Sequence, residues 1–236
     1  MKKGLAIIIL ISLALVASSC IPSNGGIIVL GANDHEGVLG GVVKNVGTID
    51  VTSLMGITIL ATPTVEELLN AALEVEEIDS DTKKSIENIL DLLPVLEDWL
   101  AEIPTETLQA IDVIMGNITE LHTVGAATDA LQSLINSHEY DDHDYLPEAL
   151  EFGIELLEAG EDTIYNPAWS PYQAEPFLSF NASQLMKADL EGGIAGAVGA
   201  ALAGAAAAEY VIGIGGVVAG VDSSIADLIS QLPGYW

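Results

Sequence analysis

The sequence predicts an all-α protein: an N-terminal signal helix, then a helical bundle, then a glycine-zipper helical hairpin. Between Pro63 and Asp162, apolar residues recur at the three-and-four spacing of one helical face, and 26 of the 35 acidic residues fall in this zone. Such a pattern is typical of amphipathic helices with solvated outer faces. Beyond Gly192, small residues recur every four positions, which is typical of helices that approach each other closely.

Charge and composition exclude several functions. The 236 residues include 35 Asp and Glu against six Lys and no Arg, a formal net charge of -29, and half of the residues are hydrophobic. This charge excludes a general nucleic-acid binder, because neutralising phosphates needs clustered Lys or Arg. It also disfavours sites that hold phosphate or carboxylate through a guanidinium group. The high apolar content excludes a chain that is disordered throughout.

The first 19 residues have the pattern of a signal peptide. Lys2-Lys3 forms a basic start, and an apolar run of 13 residues from Gly4 to Val16 follows. That run is shorter than the ~20 residues that a membrane-spanning helix needs. Ala17-Ser18-Ser19 then places small residues before Cys20. This arrangement fits ordinary signal peptidase and also fits a bacterial lipobox, in which the cysteine after the cut is acylated.

Cys20 is the predicted lipidation site. It is the only cysteine of the chain, so it has no intramolecular disulfide partner. A free thiol on an exported protein is open to oxidation, whereas lipidation explains both the position and the solitude of Cys20. We therefore predict an exported outer-membrane lipoprotein of the cell envelope, with a secreted protein as the alternative. Its predicted partner is the lipid bilayer, into which the acyl chains attached to Cys20 would insert.

The pattern divides the chain into five segments. They are a signal peptide at 1–19, a tether at 20–33, an acidic α-helical domain at 34–162, a linker at 163–187 and the glycine-zipper hairpin at 188–236. In the tether, Ile27 to Leu30 is a candidate strand. The valines and leucine between Asp34 and Val46 predict a first helix, and Thr52 to Ala61 is ambiguous between helix and strand.

Caps and breakers locate the helices of the acidic domain. Thr64 to Glu67 is a capping box, so a helix begins there. A second helix should end at Pro94 and a new one begin, because a proline inside a helix costs ~3 kcal/mol. Apolar stripes predict further helices, and the helix after Pro104 should bury Leu108, Ile111, Met115, Ile118 and Leu121. The later stripes run from Val124 to Ile135 and from Leu150 to Leu157.

The hairpin is predicted to pack through a row of small residues. The predicted packing residues are Gly192, Gly196, Ala200, Gly204, Gly216 and Gly220. The 17 uncharged residues of Gly192 to Ala208 are at the low limit for a membrane span. Asp189, Glu191 and Glu209 would also have to stay outside the bilayer or become protonated. We therefore expect a hairpin packed against the bundle, with membrane insertion as the alternative.

Few residues suggest chemistry. The segment from His138 to Asp144 combines imidazole and carboxylate groups, and its weak candidate metal ligands are His138, Asp141 and His143. A solvated loop explains these residues equally well. His35 and His122 are isolated in the sequence, and no nucleophile elbow, Walker loop or dinucleotide fingerprint is present. We expect no enzymatic activity and no cofactor.

Several stretches resemble a loose group of uncharacterised exported bacterial proteins, many of them lipoproteins. The matching stretches are Ala17 to Cys20, His35-Glu36-Gly37-Val38-Leu39, Asp79 to Leu93 and Lys187-Ala188-Asp189-Leu190-Glu191-Gly192-Gly193. They correspond to the group's lipobox, early helix, acidic helical middle and entry into a glycine-zipper tail. The resemblance implies architecture and export, and no activity carries over from it.

Two functions are therefore expected from the sequence. The first is a non-enzymatic interaction or structural module anchored in the cell envelope. A protein partner that binds it through helix packing is possible. The alternative is a bacteriocin-like or pore-forming protein that inserts its hairpin into a membrane.

Overall fold

The computed structural model describes residues 28, 30–48, 63–118, 123–166, 181–204 and 208–231. These residues form eight α-helices and no strand, which confirms the all-α class. The helices are α1 (Ala32–Thr48), α2 (Val65–Leu73), α3 (Ser80–Ala101), α4 (Thr105–Ile118), α5 (Val124–Ser137), α6 (Leu146–Gly160), α7 (Ala182–Gly204) and α8 (Ala208–Gln231). The predicted signal peptide, Cys20 and the ambiguous segment 52–61 lie outside the described residues.

Side chains cap the first turns of α2 and α3, and the cap of α2 is the predicted capping box. Thr64 Oγ1 accepts from the backbone N–H of Glu67 at 3.2 Å, and Glu67 Oε2 accepts from the backbone N–H of Thr64 at 2.9 Å. At α3, Asp79 Oδ1 accepts from the backbone N–H groups of Asp81 and Thr82, each at 2.9 Å. These contacts satisfy N–H groups that have no partner inside the helix.

Pro94 lies inside α3, and the prediction that the helix ends there is wrong. The helix runs from Ser80 to Ala101 without a break. Leu92, Leu96 and Trp99 are buried on one face before and after the proline. Pro94 removes one helical hydrogen bond, and packing of these large side chains offsets that loss. Tertiary contacts here override the local preference of the sequence.

Two finer predictions also differ from the structure. Leu108 of α4 is 40% exposed, whereas we predicted that it faces inward. The other residues of the predicted stripe that α4 contains, Ile111, Met115 and Ile118, are buried. In the tether, Ile28 and Leu30 lie in no strand, although Leu30 is buried. The predicted first helix is confirmed as α1.

The bundle is built around α7 and α8. Helix α7 packs against α3, α4, α6 and α8, and α8 packs in addition against α1 and α2. Helix α7 begins at Ala182, so the last six residues of the predicted linker 163–187 are helical. Both helices therefore lie in the interior of the described fold.

Among the described helices, α8 is the one that is long and apolar enough to cross a membrane. The segment Val211–Gln231 meets that criterion by length and composition. However, 72% of its apolar window is buried inside the bundle. A core helix has the same composition, so this observation is weak evidence for a membrane span.

Candidate functional site

The carboxyl group of Asp189 on α7 is completely buried in the core. Its neighbours along the helix, Leu185, Met186 and Leu190, are buried apolar residues. A buried carboxylate is rare in proteins and is stable only when other groups donate hydrogen bonds to it or pair with its charge. Asp189 is therefore the natural starting point for a site.

Three donors from separate segments converge on this carboxylate. His35 Nε2 of α1 lies 2.6 Å from Asp189 Oδ1. Ser224 Oγ of α8 donates to the same oxygen at 2.6 Å. Tyr165, in the turn after α6, donates its hydroxyl to Asp189 Oδ2. We call these four residues the Asp189 cluster. It links α1, α7, α8 and the end of α6 through one side chain.

Two glycines make room for the cluster. A Cβ atom on Gly220 of α8 would lie 3.0 Å from His35 Nε2 and 3.3 Å from Asp189 Oδ1. A Cβ atom on Gly160 would overlap the ring of Tyr165. The backbone N–H of Tyr165 donates to the carbonyl of Gly160 at 3.0 Å, which holds the turn. The close approach of α8 to His35, and of Tyr165 to the end of α6, therefore depends on glycine at these two positions.

Among the described residues, only Nε2 of the His35 ring has a hydrogen-bond partner. Because Nε2 faces a carboxylate oxygen, we assign the ring hydrogen to Nε2. Nδ1 is buried and has no hydrogen-bond partner among the described residues. The preceding residue, Asp34, accepts from Ser85 Oγ of α3 at 2.6 Å and from the backbone N–H of Gly31 at 3.0 Å. The first turn of α1 is thus fixed to both α3 and α7.

This arrangement is suited to holding helices together. His35, Asp189 and Ser224 are completely buried, and Tyr165 is nearly so. In this conformation a substrate cannot reach the reactive atoms. A buried polar group with satisfied hydrogen bonds favours one packing arrangement over others, because every alternative leaves the carboxylate without donors.

The cluster gives the stability of the fold an alkaline limit. Burial, the charge of Asp189 and the hydrogen bond to it raise the pKa of Tyr165 well above the usual 10.0. Above about pH 10 the tyrosine of the unfolded chain loses its proton while folded Tyr165 keeps it, so the free energy of unfolding falls as the pH rises. We expect Tyr165→Phe to reduce this fall, as measured by urea unfolding at about pH 8 and about pH 11. Equal losses in the parent and the variant would contradict the prediction.

On α7, the predicted zipper residues face α8. A Cβ atom on Gly192 would lie 2.5 Å from the carbonyl oxygen of Ala219. A Cβ atom on Gly196 would overlap the carbonyl of Gly215, and one on Gly215 would overlap both the carbonyl of Gly196 and the Cβ of Ala200. The backbones of the two helices therefore touch, as small-residue packing allows.

On α8, the predicted residues Gly216 and Gly220 also lie against elements other than α7. Gly216 faces the ring of Phe152 on α6, and Gly220 faces His35 and Asp189. The glycines of α7 meet mainly Gly215, Ala219 and Ser223, and a Cβ atom on Gly193 would lie 3.6 Å from the carbonyl oxygen of Gly216. The small residues of α8 thus serve two neighbours, because α8 is surrounded by helices on several sides.

The candidate metal ligands do not converge. His138 Nδ1 lies 2.9 Å from Asp141 Oδ2, at the protein surface. His143 Nδ1 instead lies 3.0 Å from Thr107 Oγ1 of α4, beside a surface cleft of about 340 Å³. In the described part of the chain, no three His, Cys, Asp or Glu residues form a group that could hold a metal ion.

Sequence reasoning missed the Asp189 cluster. We predicted that His35 is isolated, and this is wrong, because α1 brings it to Asp189, 154 residues away in the chain. A signal for the buried carboxyl was present: Asp189 lies four residues from Leu185 and from Gly193, on the same face of α7. His122 lies outside the described residues.

In comparisons with known proteins, no family model, no curated protein and no solved structure matches this chain.

Proposed function

We propose that the chain is an exported, lipid-anchored protein of the cell envelope that acts as a non-enzymatic interaction or structural module. The observation that carries this proposal is the interior position of the α7–α8 pair, in which Asp189 accepts hydrogen bonds from α1 and α8. A glycine-zipper hairpin in this position closes a compact helical module and leaves its acidic helices facing solvent. The signal-peptide pattern and the solitary Cys20 support export and anchoring.

A protein partner would find its best apolar contact on α4. Leu108 is 40% exposed and Val113 is 57% exposed, and both lie on this helix. Among the described helices, α4 makes its main contact with α7 alone. These features favour α4 as the surface through which a helical partner would pack.

Lipidation of Cys20 is the decisive test of the anchor. We expect a palmitate analogue, fed to producing cells, to label the parent chain and to leave Cys20→Ala unlabelled. Ser19→Ala is the matched control, because it keeps a small residue before the cysteine and should keep the label. Absence of label from the parent chain would overturn the anchor and leave a secreted protein.

The second candidate function is membrane activity of the α7–α8 hairpin, and the length and apolar composition of Val211–Gln231 favour it. Insertion of the hairpin would have to remove α8 from its contacts with α1, α2, α3 and α6. It would also carry Asp189 away from its donors, which is costly for a charged group. Leakage of dye from liposomes at about pH 5 and about pH 7 tests this candidate, and leakage at neither pH would exclude it.

A further inference from the structure

Helix α1 covers one side of α8 over two turns. The carbonyl oxygen of Leu30, just before α1, would lie 3.0 Å from a Cβ atom on Gly213. Further along, the ring of His35 packs against Gly220. The side of α8 from Gly213 to Gly220 is therefore hidden by the first residues of the described fold.

His35 joins α1 to the hairpin through a buried hydrogen bond with Asp189. Its Nε2 shares Asp189 Oδ1 with Ser224 Oγ, so one oxygen atom joins α1, α7 and α8. Without the imidazole, that oxygen would keep Ser224 but lose a donor in a place that water does not reach. A buried charge that loses a partner destabilises the arrangement around it strongly.

The rest of α1 has little intrinsic stability as a helix. Gly37, Gly40 and Gly41 lie in its middle, and each glycine costs a helix about 1 kcal/mol relative to alanine. The helix therefore depends on its contacts with the rest of the bundle, and a single element of a protein can open locally while the remaining fold stays intact. Helix α1 also follows the predicted tether, so a force or a partner acting at the anchored end reaches it first.

We propose that His35 is a latch that keeps α1 closed over α8. When its contact with Asp189 is lost, α1 opens while the bundle stays folded, and the Gly213–Gly220 side of α8 is exposed. The inference rests on the proposed packing of the hairpin inside the module. It adds a conformational step, because this side of α8 becomes exposed to solvent only after the latch opens.

Thiol labelling of two buried valine positions tests the latch. Val38 of α1 and Val198 of α7 are both completely buried, and Val198 lies nine residues beyond Asp189 in the chain. Each is replaced separately by Val38→Cys or Val198→Cys in the full chain carrying Cys20→Ala. We expect His35→Ala to accelerate labelling of the thiol at position 38 about 10- to 100-fold, and that at position 198 less than about twofold.

The conservative variant separates the hydrogen bond from mere packing. The amide nitrogen of His35→Gln can replace Nε2 as the donor to Asp189, so we expect it to restore most of the slow parental labelling at position 38. Equal acceleration at both positions, or none at position 38, would overturn the latch. If His35→Ala does not fold, the parent decides: the thiol at position 38 must react faster than the thiol at position 198, and equal rates overturn the proposal.

The assay contains no membrane, so its failure differs from failure of the proposed function. If the palmitate analogue does not label Cys20, the proposed anchor is wrong. The rate of thiol labelling at position 38 does not depend on that result. A working latch together with intact liposomes would exclude hairpin insertion and still support local opening of α1.

Discussion

We expect Asp189→Ala to lower the free energy of unfolding by about 3–5 kcal/mol. The change removes the acceptor of three buried donors, His35 Nε2, Ser224 Oγ and the Tyr165 hydroxyl. None of these groups is exposed enough to bond water instead, because all lie in the core. The loss also leaves a cavity where α1, α7 and α8 meet, which adds to the cost.

Urea unfolding followed by circular dichroism measures this effect at neutral pH. Glu191→Ala is the matched control, because Glu191 lies two residues further along α7 and is exposed. We expect the control to change the free energy of unfolding by less than about 0.5 kcal/mol. Similar values for the two variants would mean that Asp189 is not held by the cluster.

The effect should be smaller for Asp189→Asn. The amide keeps the volume of the side chain and one acceptor oxygen, but its NH₂ group faces a donor where the second carboxylate oxygen stood. A loss as large as that of Asp189→Ala would show that both carboxylate oxygens must accept hydrogen bonds. A clearly smaller loss would assign most of the effect to shape and to the remaining hydrogen bonds.

Local signals were sufficient to predict most helices. The capping box at Thr64 and the apolar stripes after Val124 act within one or two turns, so their outcome depends on neighbours in the chain. Pro94 was misjudged because the cost of the proline is local, whereas Leu92, Leu96 and Trp99 gain their packing from other helices. Leu108 was misjudged because the stripe of α4 alone does not fix how the helix is rotated against α7.

The candidate site was less predictable for the same physical reason. His35 and Asp189 are 154 residues apart, and nothing in the spacing of either helix specifies that α1 lies over α8. Gly216 and Gly220 were visible as part of a pattern of small residues. Its use became clear only with the neighbours in place, since Gly220 gives room to His35 and Ser224 donates to Asp189.

Substitution of two helical glycines should have opposite effects on stability. Gly116 of α4 has room for a side chain, because no atom lies within 4 Å of the position that a Cβ atom would take there. Gly116→Ala should therefore raise the free energy of unfolding by about 0.5–1 kcal/mol, since alanine favours the helix and restricts the unfolded chain. This variant is the control for the change at the α7–α8 contact.

At that contact we expect Gly196→Val to destabilise the protein by about 3 kcal/mol or more. A Cβ atom on Gly196 overlaps the backbone carbonyl of Gly215, and backbone cannot move aside as a flexible side chain can. The two helices must therefore separate, which also loosens the neighbouring contact of Gly192 with Ala219. Thermal unfolding of both variants measures the difference. If Gly196→Val is as stable as the parent chain, α7 and α8 do not pack backbone to backbone. The hydrogen bond from Ser224 to Asp189, which needs this close approach, would then also be in question.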